Sequence, residues 1–390
     1  MGQEESTALT RHAIAGEITP WRRRERLANW AGGLTDRAVR RLLRRLFVSK
    51  GVPYRSEAEL ERSLGLLSVY TNPDVLADPD QLLGASPQPP RLDAKRRTRV
   101  RGGMHTHYTF ASPYRPVHRI YAAEYRRYDK LDTVHLFAWE HARPPRAAIL
   151  ITHGWGVGNK RIHEQEFGIP YLFRELGLDV YYYVAPFHWV RRPSIAKFSG
   201  QLHPSPNLMR TNEAFIQTVR ELRAAISWIK ARPDGRGEVP LGMMGSSLGG
   251  YTTALMASLD ERLAFAIPVL PPSSLADLFW ETGEGDPVRD KAEAMGMTGD
   301  KFRAAWALHS PLSYAPKVPW AARLIVDAGG DTIVPPSFSD PLWEHWERPR
   351  RYSFAGSHIL QVFRRRYHLE IGRFLARLSL APSRMADVEG

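Results

Sequence analysis

Short apolar runs alternate with longer amphipathic stretches along most of the chain. The apolar runs predict strands at 104–110, 132–139, 147–152, 178–184, 239–244, 263–269, 322–327 and 350–354. The stretches between them predict helices at 162–176, 208–231, 248–258 and 358–378, with a further short helix between the last two strands. Strand–helix alternation is typical of a mostly parallel sheet with helices on both faces, so the pattern predicts an α/β fold.

The first ninety residues follow a different pattern, helical and irregular. Within them, residues 36–47 have helical periodicity, with an apolar face and an arginine face. The apolar face holds Ala38, Val39, Leu42, Leu43, Leu46 and Phe47, and the other holds Arg37, Arg40, Arg41, Arg44 and Arg45. One interpretation packs this helix on the main domain with its arginines in water. The other docks it on an anionic membrane surface or an amphiphilic aggregate.

The segment 78–98 is rich in proline and charge, which is typical of a linker or a surface loop. The sequence therefore predicts an N-terminal helical extension and linker over residues 1–98 and a main α/β domain over 99–390. Within the main domain, residues 271–318 are too long for a simple connection between two strands. We interpret them as a helical insertion, either with a small core of its own or as a cap whose Trp280 and Trp306 line an apolar pocket.

Composition narrows the possible chemistry. The chain has 390 residues, no cysteine and a formal net charge of +13. The absence of cysteine excludes disulfides, thiolate metal sites and cysteine catalysis. The charge suggests nucleic acid or an anionic membrane as a partner, but arginine-rich composition also follows from GC-rich codons, and we expect no nucleic-acid partner.

Nothing near the N-terminus predicts export. Residues 1–20 lack the apolar segment of a secretory signal, and no run approaches about 18 apolar residues. We therefore expect a cytoplasmic protein. Peripheral membrane contact through the five arginines of residues 37–45 is the alternative.

The most informative motif is Gly245-x-Ser247-x-Gly249, which lies between a predicted strand and a predicted helix. A serine on a sharp strand-to-helix turn presents its hydroxyl at the carboxyl end of the sheet, and side chains two residues away on either side would collide with that turn. The spacing of the glycines centres on Ser247, which makes its neighbour Ser246 the weaker candidate.

A serine needs a base, and the base needs a group that orients it. Asp331 follows the strand 322–327, and His358 lies on a glycine-containing loop after the strand 350–354. The order along the chain is therefore Ser247, Asp331, His358, each after the carboxyl end of a strand. Asp327 is a competing acid, but it lies within its predicted strand.

A further turn, His153-Gly-Trp-Gly-Val-Gly158, follows the strand 147–152 directly. A loop of this type donates a backbone N–H to an oxyanion, together with the amide after the nucleophile. We assign these donors to Trp155 and Leu248. A phosphate-binding loop is the alternative interpretation, but the glycine spacing does not match G-x-G-x-x-G.

With these four motifs, over roughly residues 100–380, the sequence resembles the α/β-hydrolase fold superfamily. The resemblance implies an eight-stranded, mostly parallel sheet, a triad of Ser247, Asp331 and His358, and hydrolase chemistry without metal or cofactor. We expect a serine hydrolase that cleaves a carboxylic ester through an acyl-enzyme on Ser247, with a small-molecule or lipid-like ester as substrate. A membrane-surface lipase, a thioesterase, a peptidase and a carbon–carbon hydrolase remain alternatives with the same triad, and a non-catalytic basic binding protein is a further one.

Three other groups of side chains could take part in chemistry or merely in packing and solvation. His105-Thr-His107 has the form of a metal-ligand pair, but the sequence offers no third ligand, so we interpret it as ordinary strand packing. His188, followed by Arg191, either lines the substrate pocket and contacts an anionic group or is a plain loop histidine. Arg364-Arg-Arg366 lies early in the last helix and is interpreted as its solvated face.

Overall fold

The chain folds around one large twisted sheet. The computed structural model describes residues 10–14, 17–47, 55–158, 164–283 and 287–385. Within residues 10–20 and 42–47 it describes the backbone only. Its strands are β1 Thr10–Ile14, β2 Glu17–Pro20, β3 Asp93–Val100, β4 Gly103–Ala111, β5 Thr133–His141, β6 Ala148–Thr152, β7 Asp179–Tyr183, β8 Leu241–Ser246, β9 Leu263–Val269, β10 Leu324–Ala328 and β11 Arg350–Phe354. β1 and β2 form a separate hairpin.

The main sheet has nine strands in the order β11-β10-β9-β8-β6-β7-β5-β4-β3. The pairs from β11 to β7 are parallel, and those joining β7, β5, β4 and β3 are antiparallel. The predicted α/β class is confirmed, and each predicted strand begins and ends within two residues of its observed bounds. The eight-stranded sheet that the resemblance implied is one strand short.

The described helices are α1 Arg23–Phe47, α2 Glu57–Leu66, α3 Ser68–Thr71, α4 Pro73–Ala77, α5 Asp80–Leu83, α6 Arg119–Tyr125, α7 Leu208–Lys230, α8 Leu248–Leu259, α9 Leu275–Thr282, α10 Pro287–Ala294, α11 Gly299–Ala305, α12 Asp340–His345 and α13 Arg364–Arg377. α9 to α11 form the predicted helical insertion. Of the helix predicted at 162–176, residues 162–163 lie outside the described part, and Tyr171–Glu175 forms a π-helical turn.

The central strands β6, β7, β8 and β10 are buried at every position, as expected for strands with helices on both faces. These strands supply the continuous apolar runs that made them visible in the sequence. Their carboxyl ends meet at one edge of the sheet, and this edge carries the candidate site.

The strand missing from the prediction is β3, which pairs antiparallel with β4 from Asp93↔Thr109 to Val100↔Gly103. Its residues are exposed up to Arg99, and it is the edge of the sheet. Because an edge strand with two polar faces has no apolar alternation, its sequence pattern predicts a linker instead of a strand. The predicted domain division at residue 98 falls inside this strand.

The segment before β3 also belongs to the main core. Leu60, Tyr70 and Leu83 are completely buried in the same apolar cluster as the sheet. The Tyr70 hydroxyl donates to the Glu213 carboxylate of α7 at 2.6 Å. Residues 55–98 are thus packed as part of one body with the sheet. Among the described helices, none is both long and apolar enough to cross a membrane.

Candidate active site

Ser247 lies at a strained turn between β8 and α8. Its φ of 56° and ψ of −115° are unfavourable for any residue with a side chain. A Cβ at Gly245 would lie 2.2 Å from the Gly249 carbonyl oxygen, and a Cβ at Gly249 would lie 2.2 Å from the Thr152 carbonyl oxygen. The backbone is this close only because both positions are glycine. The turn leaves the Ser247 side chain partly accessible, while Ser246 is buried at the end of β8.

The structure brings the three predicted residues into one hydrogen-bonded chain. His358 Nδ1 lies 2.7 Å from Asp331 Oδ2, and His358 Nε2 lies 2.9 Å from Ser247 Oγ. A carboxylate only accepts, so Nδ1 carries the proton and Nε2 is left to accept the Ser247 hydroxyl proton. The other Asp331 oxygen accepts the backbone N–H groups of Ile333 and Val334, both at 2.8 Å, which fixes the orientation of the carboxylate.

The electrostatic surroundings favour a protonated His358. Burial alone would lower its pKa, but the Asp331 carboxylate, its hydrogen bond and the nearby Asp36 and Glu166 raise that pKa above the ordinary value. The side chain is 11% exposed. An imidazole in this environment is a stronger base toward Ser247 than one in water.

The competing acid Asp327 serves a different partner. Its Oδ2 lies 2.6 Å from Nε of Arg351, and Oδ1 accepts the Ser353 hydroxyl. All three residues lie on β10 and β11, inside the sheet. The structure therefore places Asp331, and not Asp327, against the histidine.

The predicted oxyanion turn lies directly beside the Ser247 turn. A Cβ on Gly154 would lie 3.5 Å from the Ser247 Cβ. His153 anchors the turn, since its Nδ1 donates to the Gly154 carbonyl at 2.8 Å while its Nε2 accepts the Ala185 N–H at 3.0 Å. The Trp155 indole donates to the Gly200 carbonyl at 2.8 Å. The Leu248 amide begins α8, where the helix dipole favours negative charge.

His188 and Arg191 are both buried, and neither forms an open anion site. Burial lowers the pKa of His188 far below its ordinary value, with His153 and His203 adding to the effect, so the ring is neutral. Its Nδ1 donates to the Pro186 carbonyl at 2.8 Å, and its ring packs on His153 behind the oxyanion turn. Arg191 is completely buried against Glu221. Contact of Arg191 with an anionic substrate is therefore a wrong interpretation.

The two predicted cap tryptophans contact their own insertion. Trp306 is buried against Phe279, Phe302 and His309. Trp280 is half-buried between Phe302 and the Arg289 guanidinium. These contacts match the small core of a helical insertion, and pocket lining by His188, Trp280 and Trp306 stays a prediction.

The histidines of β4 are packed in the sheet. His105 lies against Phe137 and Trp139, and His107 stacks on Phe137 with its Nε2 2.9 Å from His135 Nδ1. Within the described part of the chain, no group of three or more His, Cys, Asp or Glu side chains is arranged to hold a metal ion.

Sequence reasoning missed the contribution of α1 to the site. Asp36 is completely buried and accepts hydrogen bonds from the segments that carry Asp331 and His358. Asn29 accepts the Gly356 N–H at 2.8 Å. The face of α1 toward the site is polar and glycine-rich, so hydrophobic periodicity gave no signal for it.

The predicted faces of α1 are rotated relative to the observed ones. Ala38 is exposed, whereas Arg40 donates to the Thr332 carbonyl at 3.3 Å. Arg37 is half-buried and Arg41 is exposed. The side chains of Arg44 and Arg45 lie outside the described set, as do those of Leu42, Leu43, Leu46 and Phe47. At the start of the last helix, Arg366 pairs with buried Glu25 of α1 instead of facing solvent alone.

Comparison with known proteins supports this fold. The model of the X-Pro dipeptidyl-peptidase family (S15) matches residues 209–306, which include Ser247. The acetyl xylan esterase of Paenibacillus sp. R4 superposes with a TM-score of 0.56 at 13% identity, covering 76% of this chain and 92% of that one. The resemblance to the α/β-hydrolase superfamily is thereby confirmed at the level of the fold.

Curated proteins of two bacterial species are similar in sequence. An uncharacterized protein of Mycobacterium tuberculosis is 31% identical over 218 residues, 55% of this chain and 50% of that protein. The chain thus spans about half the length of that relative. An uncharacterized protein of Bacillus subtilis is 28% identical over 92 residues, 24% of this chain and 79% of that protein.

Proposed function

We propose that this chain, which has the α/β-hydrolase fold, is a serine hydrolase that cleaves carboxylic esters through an acyl-enzyme on Ser247. The observation that carries the proposal is the chain of two short contacts, Ser247 Oγ to His358 Nε2 at 2.9 Å and His358 Nδ1 to Asp331 Oδ2 at 2.7 Å. The strained turn at Ser247 supports it, because strain of this kind persists where function requires it. The match to a family of peptidases supports the broader class of hydrolase.

In the proposed reaction, Ser247 Oγ bonds to the ester carbonyl carbon while its proton passes to His358 Nε2. Asp331 stabilises the imidazolium, and the Leu248 and Trp155 amides donate to the oxyanion. The bond from carbon to the alkoxy oxygen then breaks, and His358 returns the proton to the departing alcohol. Water repeats the sequence on the acyl-enzyme and releases the acid.

The test is turnover of p-nitrophenyl esters of graded acyl length, combined with labelling by a fluorophosphonate probe. We expect wild type to hydrolyse some of these esters and to be labelled at Ser247, and Ser247→Ala to do neither. Ser246→Ala is the matched control and should keep both. Wild-type protein that is inert toward every ester and toward the probe would refute the proposal.

Peptidase activity is the second candidate, favoured by the family-model match over residues 209–306. The same triad attacks amides, with an amine in place of the alcohol as the leaving group. An X-Pro p-nitroanilide measured beside the ester panel separates the two substrate classes. Faster turnover of the anilide by the same Ser247-dependent site would replace the ester with a peptide substrate.

We also propose that the substrate is reached at an anionic lipid surface. Leu27, Trp30 and Leu34 share the outer face of α1 and are 63%, 63% and 43% exposed. The exposed Arg23, Arg24, Arg26 and Arg41 lie on the same helix. Exposed apolar side chains flanked by arginines match an anionic interface. The predicted docking arginines Arg37 and Arg40 contribute less, because they are half-buried.

Co-sedimentation with vesicles tests this surface. We expect binding to phosphatidylglycerol vesicles, weaker binding as salt rises, and loss of binding in Trp30→Ser/Leu34→Ser. Ile195→Ser removes an apolar side chain that is 55% exposed outside α1 and should bind like wild type. Equal binding to phosphatidylcholine and indifference to salt would contradict the docking surface.

A further inference from the structure

We propose that Asp36 of α1 is a positioning residue, which holds the acid turn and the histidine loop in register for the reaction proposed at Ser247. This inference deepens that proposed function and depends on it. The acid turn is residues 330–334 and the histidine loop is residues 356–360. Each follows a different strand, and the Gly330 N–H of the acid turn donates to the Gly356 carbonyl of the histidine loop at 2.8 Å.

The Asp36 carboxylate spans both loops with four hydrogen bonds. Oδ2 accepts the Thr332 N–H at 3.2 Å and the His358 N–H at 3.0 Å. Oδ1 accepts the Ser357 hydroxyl at 2.8 Å and the Ile359 N–H at 3.1 Å. One of these donors is the backbone N–H of His358 itself, and the other three belong to residues adjacent in the chain to Asp331 or His358. Asp36 therefore links the backbone on either side of the Asp331–His358 contact.

The chemistry of the site requires a carboxylate. Four donors converge on this side chain, and a carboxylate is an acceptor with about four lone-pair sites. An asparagine of the same shape would turn an NH₂ group toward backbone N–H donors. Because Asp36 is completely buried, water does not replace the lost acceptors.

The rest of α1 is shaped to bring Asp36 this close. A Cβ on Gly32 would lie 2.7 Å from the Ser357 Cβ, so the helix rests on the histidine loop at a glycine. A Cβ on Gly330 would lie 2.3 Å from the Asn29 carbonyl oxygen, so the acid turn meets the helix at another glycine. One turn of helix before Asp36, a Cβ on Gly33 would lie 3.2 Å from the Gly330 carbonyl oxygen and 3.3 Å from the Thr332 Cγ2.

Asp36 also acts on the histidine through its charge. The charged groups facing His358 are Asp331 from the acid turn, Asp36 from α1 and Glu166 from the segment after the oxyanion turn, and each raises the pKa of His358. The negative charge of Asp36 stabilises the imidazolium that forms when Ser247 attacks. Its removal lowers the pKa of His358.

The experiment compares wild type with Asp36→Asn and Asp36→Glu in ester turnover across pH. For Asp36→Asn we expect kcat to fall by about 10- to 100-fold, because small misplacements of reacting groups cost this much, with KM within about threefold. We also expect the acid limb of kcat/KM to move to lower pH, since that limb reports the free-enzyme pKa of His358. Asp36→Glu keeps the charge and should keep the wild-type limb with a reduced kcat.

Glu25→Gln is the matched control. Glu25 is a buried acid of the same helix, and its carboxylate pairs with Arg366 of the last helix. The Glu25→Gln variant should have a lower melting temperature than wild type, with kcat and the acid limb of kcat/KM unchanged. If Asp36 had a purely structural role, Asp36→Asn would likewise lower only the melting temperature. Folded Asp36→Asn with wild-type kcat and a wild-type acid limb of kcat/KM would therefore overturn the inference.

Two further outcomes keep the two proposals separate. If Asp36→Asn does not fold, Asp36→Glu decides, and wild-type kcat in that variant would overturn the inference. Fluorophosphonate labelling of Ser247 distinguishes failure of the function itself. Wild type that is neither labelled nor active refutes the proposed hydrolase, whereas labelled wild type with an equal labelling rate in Asp36→Asn refutes only the role of Asp36.

Discussion

At the scale of single residues, two aspartates four positions apart bind different partners. Asp331 holds His358, and Asp327 holds Arg351 within the sheet. We predict that Asp331→Asn lowers kcat/KM by about 10⁴-fold while the fold persists, because an amide orients the imidazole in the wrong tautomer. The measurement is ester kinetics together with a melting curve.

Asp327→Asn is the counterpart of that variant. It weakens a buried ion pair and should cost stability, of the order of 3 kcal/mol, with kcat per folded molecule unchanged. The reverse outcome, inactive Asp327→Asn and active Asp331→Asn, would assign the acid role to Asp327.

In the proposed reaction, the raised pKa of His358 sets the acid limit of activity. Only neutral His358 accepts the Ser247 proton, so activity is present above its pKa and is lost as pH falls through that pKa. Since burial is outweighed by Asp331 and its neighbours, this pKa lies above the ordinary value of 6.5. We predict a half-maximal point of kcat/KM above pH 6.5 on the acid side, measured in constant-ionic-strength buffers. A midpoint below 6.5 would contradict the prediction.

At the scale of elements, glycines that fix a turn differ sharply from glycines that do not. Gly249 lies in the first turn of α8 against the Thr152 carbonyl, whereas a Cβ on Gly65 of α2 would meet no atom within 4 Å. We predict that Gly249→Ala abolishes activity and lowers the free energy of unfolding by at least about 3 kcal/mol. Gly65→Ala should raise it by about 0.5 kcal/mol, because alanine is the better helix former. Urea unfolding measures both, and equal effects would contradict this account of the Ser247 turn.

The edge strand β3 carries several exposed basic side chains. Lys95, Arg96, Arg97 and Arg99 lie along it, and among the described strands none pairs with its outer side. Charged side chains on an edge discourage pairing with a second chain. We predict that the variant Arg96→Thr/Arg97→Thr/Arg99→Thr self-associates, as measured by sedimentation velocity. The matched variant with lysine at the same three positions keeps the charge and should sediment like wild type. Identical sedimentation of both variants would contradict this role.

These same elements show how far the sequence could be interpreted. β8 and its following turn were predictable because a buried strand is a continuous apolar run and the turn demands glycines at fixed spacing. β3 was not, because its residues are exposed on both faces. Asp36 was not, because its partners are backbone N–H groups and one hydroxyl of loops some three hundred positions away along the chain. Such a contact leaves no periodicity in the sequence of α1.

At the scale of the whole molecule, the net charge of +13 is not only a surface property. Several arginines are used inside the protein as partners of buried acids. They include Arg191 with Glu221, Arg236 with Asp179, Arg350 with Glu370 and Arg351 with Asp327. The basic composition therefore gives a weaker argument for an anionic partner than the count alone suggests, and the exposed arginines of α1 remain the ones to test.

The Arg191–Glu221 pair shows how such an arginine joins distant parts of the chain. Both side chains are fully buried, with Arg191 Nη2 2.8 Å from Glu221 Oε1 and 2.7 Å from the Leu131 carbonyl before β5. Glu221 of α7 also accepts the Ser112 hydroxyl at 2.6 Å. The pair thus connects the start of β5, the end of β4 and α7 through one set of charges.

This arrangement predicts non-additive stability. Arg191→Met leaves Glu221 charged and buried, so we expect a loss of about 3–5 kcal/mol in the free energy of unfolding, and a similar loss in Glu221→Leu. The double variant removes both charges and should be less destabilised than the sum of the two single variants, by at least about 2 kcal/mol. Urea unfolding of the four proteins measures this coupling, and kcat per folded molecule should stay unchanged throughout. Additive losses would contradict the coupling between Arg191 and Glu221. A fall in kcat of folded Arg191→Met would instead return Arg191 to the substrate site, because a guanidinium that binds the substrate contributes to catalysis.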